Sequence, residues 1–321
     1  AGRLVIYPGK NFCMEQTVST LLPKIDPNGL LEYSVVFNDR SLNHMSIAFQ
    51  QIMRDISGTL KHVYQADAVA IVPGGGTYGM EAVARQFATG KKCLVIRNGW
   101  FSYRWTQIFE MGEIPSEHSV LKARPISSAR HSPFIPPPLE EVVEAIRTQK
   151  PDLVFAAHVE TAAGMILPDT YLRAVAAAVH AVGGLFVLDC VASGTVWVDM
   201  VACGVDILIS APQKGWSASP CSALVMLSPA AHQLIQNTQS TSFSCDLLKW
   251  LQIMKVYEAG GHAYHATMPT DALSRFHEAM KEMEAYGFDK VSAEQRELGQ
   301  KVRALFASKG FTSVAANGFE A

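Results

Sequence analysis

This sequence has no basic excess, no cysteine framework and no long uninterrupted hydrophobic run. Its 321 residues carry 27 Lys and Arg against 29 Asp and Glu, a formal net charge of −2. Without a positive field, neither nucleic acid nor an anionic bilayer is an expected partner. Six cysteines, Cys13, Cys93, Cys190, Cys203, Cys221 and Cys245, never reach CxxC spacing and sit mostly in apolar context. That fits packed, reduced thiols better than a disulfide or zinc framework, so a cytoplasmic setting and no metal are expected. The opening Ala1 to Gly9 is too short in apolar residues for a signal peptide, and no later stretch stays apolar long enough to cross a bilayer, so a soluble protein is expected. The charged share of 17% beside 49% hydrophobic residues is low, as in a chain much of which is buried or covered by a partner subunit.

From about Asp67 the chain alternates short β-branched apolar runs, polar or glycine turns, and longer stretches of helical period. This pattern predicts an α/β protein with a mostly parallel sheet flanked by helices. The expected strands are Ala68 to Val72, Cys93 to Arg97, Leu153 to His158, Leu185 to Leu188, Asp206 to Ser210 and Ala223 to Leu227. Their unbroken apolar character agrees with parallel strands covered on both faces. Expected helices include Thr77 to Phe87, Leu139 to Thr148, Thr170 to Ala181 and Asp271 to Ala285, with another beginning near Ser292. Ser127 to Pro138 holds four prolines and reads as a surface crossing. The periodicity breaks again over Ala259 to Asp271. The reading is therefore a large domain over 1–260 and the start of a smaller C-terminal α/β domain over 261–321.

Two residues carry chemistry together. Lys214 ends Val205-Asp-Ile-Leu-Ile-Ser-Ala-Pro-Gln-Lys214 and precedes a small, polar stretch. An amine drawn out of a buried strand is poorly solvated and suits Schiff-base formation. Asp189 closes Gly184-Leu-Phe-Val-Leu-Asp189, where a carboxylate can keep a pyridinium nitrogen protonated. Lysine and aspartate so placed are the minimum set for pyridoxal phosphate (PLP). Each alone has a bland reading: a strand-closing Asp is usually a turn former or N-cap, and a Lys after a strand is usually solvated.

The segment Val69-Ala-Ile-Val-Pro-Gly74-Gly75-Gly76-Thr77-Tyr78-Gly79 reads as strand, glycine turn and helix start, where N–H groups and the helix dipole converge on an anion. Gly74, Gly76 and Gly79 also spell GxGxxG, so a dinucleotide fold stays open. That reading wants an acidic residue about 20 positions on. The next strand ends instead in Arg97-Asn98-Gly99, which suits NADP. Thr77 favours a monophosphate, and glycine as a plain turn former is the third possibility.

Taken together and in order, these motifs resemble the class V, fold-type I PLP-dependent aminotransferases, within them the alanine:glyoxylate and serine:pyruvate group. The likeness runs from about Leu4 to at least Pro269. It implies that Gly75, Gly76 and Thr77 bind the cofactor phosphate. Within Asn98-Gly-Trp-Phe101-Ser-Tyr-Arg104, Phe101 stands where the family often has the Trp that stacks on the pyridine ring, and a flat apolar face suffices. In His158-Val-Glu-Thr161-Ala-Ala-Gly164, Thr161 falls where a hydroxyl bonds the PLP 3′-oxygen. Asp189 matches the pyridinium partner, Gln213 a phosphate or ring contact, and Lys214 the Schiff-base lysine. Tyr264 and Thr267, in Tyr264-His-Ala-Thr267-Met-Pro, match residues that reach the neighbouring subunit's phosphate, which implies an obligate homodimer.

The resemblance further implies that an amino group passes from a small amino acid to glyoxylate or pyruvate, with Lys214 moving the proton at the substrate α-carbon. A lyase or transaminase acting on an aminophosphonate is an alternative within PLP chemistry, and an NADP oxidoreductase is one outside it. The family's carboxylate-gripping Arg-(Leu/Ile)-Gly strand finds no match before Ala321, and Arg303 lies on a predicted helix. Tyr7-Pro-Gly-Lys10-Asn11 departs from the family's Pro-Gly-Pro and makes Lys10 a candidate anion binder.

Overall fold

The computed structural model describes residues 42–321; Lys10 and the rest of the segment before Leu42 lie outside them. In chain order the elements are α1 (Ile47–Tyr64), β1 (Ala68–Pro73), α2 (Gly76–Val83), β2 (Lys92–Arg97), α3 (Trp100–Gly112), β3 (Glu117–Lys122), β4 (Arg124–Pro125), β5 (Phe134–Ile135) and α4 (Leu139–Gln149). There follow β6 (Leu153–Ala157), β7 (Val159–Glu160), β8 (Met165–Ile166), α5 (Asp169–Ala181), β9 (Leu185–Asp189), α6 (Met200–Cys203), β10 (Ile207–Ser210), β11 (Ser222–Leu227) and α7 (Pro229–Ile235). The chain then runs through α8 (Leu247–Glu258), α9 (Thr270–Tyr286) and α10 (Phe288–Ser308).

Seven strands form one sheet in the order β1-β11-β10-β9-β6-β2-β3. The runs Leu153–Ala157, Ile207–Ser210 and Ser222–Leu227 are buried at every position, because helices cover both faces and leave no side for polar residues. Against this sheet α3 packs on β2 and β6, α5 on β9, α2 on β11 and β10, and α8 on β1. Burying one such aliphatic side chain is worth about 1.5–3 kcal/mol, so the repeated Val, Ile and Leu positions dominate the stability of this layer.

The sheet is mostly parallel, as expected, with one strand reversed. β11 runs antiparallel to both β10 and β1, while β10, β9, β6, β2 and β3 pair in parallel. The reason is the connection: the segment between Ser210 and Ser222 is a compact turn, and returning in parallel would need a crossover of a dozen or more residues, usually through a helix. Because β1 is antiparallel to β11, it regains the direction of the other strands. The carboxyl ends of β1, β2, β6, β9 and β10 therefore lie along one edge of the sheet.

The helix expected over Thr77 to Phe87 is shorter as a regular α-helix, giving way to a π-helical turn at Ala84–Ala88. Gln86 in that turn is buried; its Nε2 donates to Thr238 Oγ1 and its Oε1 accepts from Leu248 N. β3 is an edge strand whose mixed sequence Glu-His-Ser-Val-Leu-Lys hid it from the periodicity. Within the proline-rich crossing, β5 pairs over two residues with β4, which lies just before it. Beyond α9 and α10, the chain returns to the main body through bridges from Ala315 to Phe134 and from Glu320 to Met165.

Candidate active site

The common edge gathers most of the residues that the sequence singled out. The glycine loop follows β1, Phe101 opens α3 after β2, Thr161 follows β6 and β7, Asp189 ends β9, and Lys214 lies in the turn after β10. In parallel α/β sheets this edge is where ligands collect, because the strand-to-helix turns present backbone N–H groups there.

The register brings Asp189 beside Ile209 of β10, and Cys190 N donates to Ile209 O at 2.8 Å. Lys214 follows Ile209 by one tight turn, closed by Lys214 N to Ala211 O and Ser217 N to Lys214 O. This turn docks on the loop after β9 so closely that a Cβ on Gly215 would stand 1.9 Å from Gly194 O. That approach admits only glycine, and it locks the lysine turn to the segment that follows Asp189.

Asp189 is buried, and its Oδ1 accepts from Val191 N at 2.9 Å. Burial pushes its carboxyl up from 3.8 to about 6, partly offset by the Val191 N–H and the Arg104 guanidinium, while Glu160 pushes the same way as burial. The group is thus a desolvated carboxylate near neutral pH, suited to a cationic partner.

The glycine loop is shaped by its neighbours. Gly74 has φ of 122°, and a Cβ there would meet the Tyr78 ring at 2.5 Å, while one on Gly76 would meet Val191 Cγ2 at 2.6 Å. Gly75 is the N-cap of α2, so the first-turn N–H groups that follow have no carbonyl four residues back within the helix. Beside them, a Cβ on Gly75 would stand 4.0 Å from Gln213 Nε2. Gln213 Oε1 is buried without a hydrogen-bond partner among the described residues.

On α3, Phe101 and Arg104 lie three residues apart and so share a face. The Arg104 guanidinium stands 5.4 Å from the centre of the Phe101 ring and donates to Thr77 Oγ1 at 3.0 Å. The start of α3 is held by Glu160, whose buried carboxylate accepts from Phe101 N at 3.1 Å, Ser102 N at 2.9 Å and Ser102 Oγ at 2.7 Å. A carboxylate at a helix N-terminus satisfies otherwise orphaned donors and meets the positive end of the dipole. Gly99 is required here, since a Cβ would meet Glu160 Cδ at 2.7 Å.

Gly75, Gly76, Thr77, Phe101, Asp189, Gln213 and Lys214 are therefore brought to one place. Thr161 occupies the exposed turn of the β7–β8 hairpin, directly after Glu160, with Gly164 N donating to its carbonyl at 3.3 Å. Tyr264 is 65% exposed, with its ring 5.6 Å from that of His44. Thr267 is exposed, and among the described residues neither is linked to the cluster. Lys214 corrects the expectation of a buried amine. The β10–β11 reversal lifts its side chain off the strand edge into an exposed position.

Several contributors were not picked out from sequence. Arg104 and Glu160 stood inside the motifs at Asn98 and His158, yet no spacing rule gave them a role. His158 is buried, with Nδ1 2.7 Å from Ser193 Oγ; burial first, then the charge of Arg296, presses its ring down to about 3, so it stays neutral. Gln295 on α10 fastens the loop after β9, its Oε1 accepting from Thr195 N at 2.6 Å and Thr195 Oγ1 at 2.7 Å.

The residues fit a phosphate-bearing pyridine cofactor: an anion cup, an amide with unused capacity, an aromatic face, a buried acid and an amine on one edge. They do not fit a dinucleotide site. The Gly74-x-Gly-x-x-Gly79 turn would need β1 and β2 as adjacent parallel strands, and here β11, β10, β9 and β6 lie between them.

The family described as Aminotransferase class-V matches residues 29–318. The small subunit of a soluble hydrogenase from Synechococcus sp. is 29% identical over 297 residues, covering 87% of this chain and 73% of that one. Alanine–glyoxylate aminotransferase 1 of Saccharomyces cerevisiae is 28% identical over 268 residues, covering 78% of this chain and 66% of its own length. The crystal structure of an alanine–glyoxylate aminotransferase from Nostoc sp. superposes with a TM-score of 0.74 at 23% identity, over 86% of this chain and 71% of that one. The chain thus spans roughly two thirds to three quarters of the length of these relatives.

Proposed function

The chain belongs to the class-V aminotransferases, and on that premise we propose that it moves an amino group from a small amino acid of the alanine or serine type to a 2-oxo acid such as glyoxylate or pyruvate. Enzymes of this family carry PLP, which when bound supplies an electron sink for a substrate α-carbon that loses its proton. The observation that carries the reading is the coupling of Lys214 and Asp189 at neighbouring strand ends through the Gly215–Gly194 contact, facing the glycine loop.

In this reading the first-turn N–H groups at Gly75, Gly76 and Thr77 hold the phosphate, with the Gln213 amide beside them. Phe101 offers its flat face to the ring, and Thr161 offers a hydroxyl to the 3′-oxygen. Asp189 keeps the ring nitrogen protonated by placing a desolvated negative charge beside it. The Lys214 amine would hold the cofactor covalently and, once free, would take and return the proton at the substrate α-carbon. The exposure of Lys214, Thr77 and Tyr264 in the single chain supports a second subunit closing the site. Tyr264 and Thr267 of each copy would then complete the phosphate cup of the other in a homodimer. A cytoplasmic setting agrees with free, buried Cys93, Cys190, Cys203, Cys221 and Cys245. Among the described residues no helix is long and apolar enough to cross a membrane.

The test is spectroscopic and chemical. Protein loaded with PLP should show a visible band that shifts on adding alanine, and after borohydride reduction and denaturing gel filtration the parent should keep the reduced pyridoxyl group covalently attached while Lys214→Ala should lose it. Beyond the first equivalent per site, which the loaded cofactor itself accepts, pyruvate should form from alanine only when glyoxylate is present. Ammonia release without an acceptor would overturn the transfer reaction, and a colourless loaded parent would overturn the site.

A further inference from the structure

The proposed phosphate cup is built from neutral donors: backbone N–H groups, the Thr77 hydroxyl and the Gln213 amide. Phosphate arrives carrying well over one negative charge, so a fixed cation joined to the cup strengthens its preference for that anion. Among the described residues Arg104 is such a cation. It is half-buried on α3, stands over Phe101, and donates to Thr77 Oγ1 at 3.0 Å. Among the described residues it has no carboxylate at ion-pair distance and no hydrogen bond other than the one to Thr77.

The hydrogen-bond direction matters. Guanidinium groups donate only, whereas a threonine hydroxyl has one proton to give and lone pairs to receive. With a lone pair of Thr77 Oγ1 taken by Arg104, the hydroxyl's own proton is left for another acceptor, and the positive charge behind it makes that proton a better donor. Thr77 is also the second residue of α2, where the helix dipole attracts an anion. Resting on the cofactor site proposed above, we infer that Arg104 is a positioning residue that turns the Thr77 hydroxyl toward the cofactor phosphate and supplies the cup's positive charge.

The readout is phosphate preference: the ratio of affinities of the apoprotein for PLP and for pyridoxal, measured by equilibrium dialysis. Both aldehydes can engage Lys214, so the ratio isolates the phosphate. The parent should prefer PLP strongly; if it binds neither, or shows no preference, the cofactor site itself is wrong and Arg104 is not the cause. Given that preference, Arg104→Met should cut the ratio roughly tenfold or more while leaving pyridoxal affinity near the parent's, as expected for loss of a charge-assisted interaction. Thr77→Val should cut it similarly, and the double variant should be little worse than either single change, because the two act in series. Arg104→Lys should retain part of the preference. A Met variant that keeps the parent ratio, or one that weakens both ligands equally, overturns the inference, as does full additivity in the double variant. Should Arg104→Met not fold, Arg104→Gln keeps most of the stem while removing the charge and serves the same comparison.

Discussion

Asp189 is held ionised at a cost to the fold, and Asp189→Asn should expose that cost. The carboxyl is buried, and its folded value lies at about 6 against 3.8 ordinarily. At about 1.4 kcal/mol for each pH unit of difference, keeping the carboxylate charged inside the apoprotein costs about 3 kcal/mol. The sign follows from linkage: a carboxyl raised in the fold stabilises it fully below 3.8, and that contribution disappears as pH climbs through about 6. Asparagine keeps the acceptor for Val191 N and removes the charge. Its own amide hydrogens have a desolvation cost, but that cost does not vary with pH, so the comparison rests on the pH trend. Urea unfolding of both apoproteins between about pH 4.5 and 7.5 should show the stability of the variant, relative to its parent, rising by about 2 kcal/mol across that window. PLP-dependent activity should meanwhile be lost, since the neutral amide no longer keeps the ring nitrogen protonated. A stability difference that stays flat with pH would refute the claim that Asp189 is a desolvated carboxylate.

Other outcomes follow from the same geometry. Gly215→Ala should cost about 3 kcal/mol or more in urea unfolding, because the new Cβ meets the Gly194 backbone and neither chain can give way. Glu160→Gln should cost about 2 kcal/mol by weakening the charged cap of α3, and should also weaken PLP binding through displacement of Phe101. For His158, whose folded value is depressed to about 3, the contribution to stability is present above 6.5 and lost as pH falls toward 3. His158→Asn should flatten the acid-side loss measured by urea titration. Gln295→Ala should cost about 1 kcal/mol and speed amide exchange at Thr195, whose N–H the Gln295 carbonyl receives.

What the sequence determined is the set of local chemistries: a lysine and an aspartate closing apolar runs, a glycine turn before a helix, and an aromatic-bearing helix start. Each is a short-range pattern, and periodicity alone predicts strands such as Leu153 to His158 to within a residue. Tertiary structure decided which of these meet. The antiparallel insertion of β11 restores the direction of β1, and so puts the glycine loop on the same edge as Asp189 and Lys214. No local pattern encodes that, because strand neighbours are set by which buried faces pack best and by how long each connection is. The same holds for Arg104 over Thr77, Glu160 beneath α3 and Gly215 against Gly194, contacts across 27, 58 and 21 positions of chain. It holds as well for the exposure of Lys214, which follows from the reversal between β10 and β11 and not from the apolar run that precedes it.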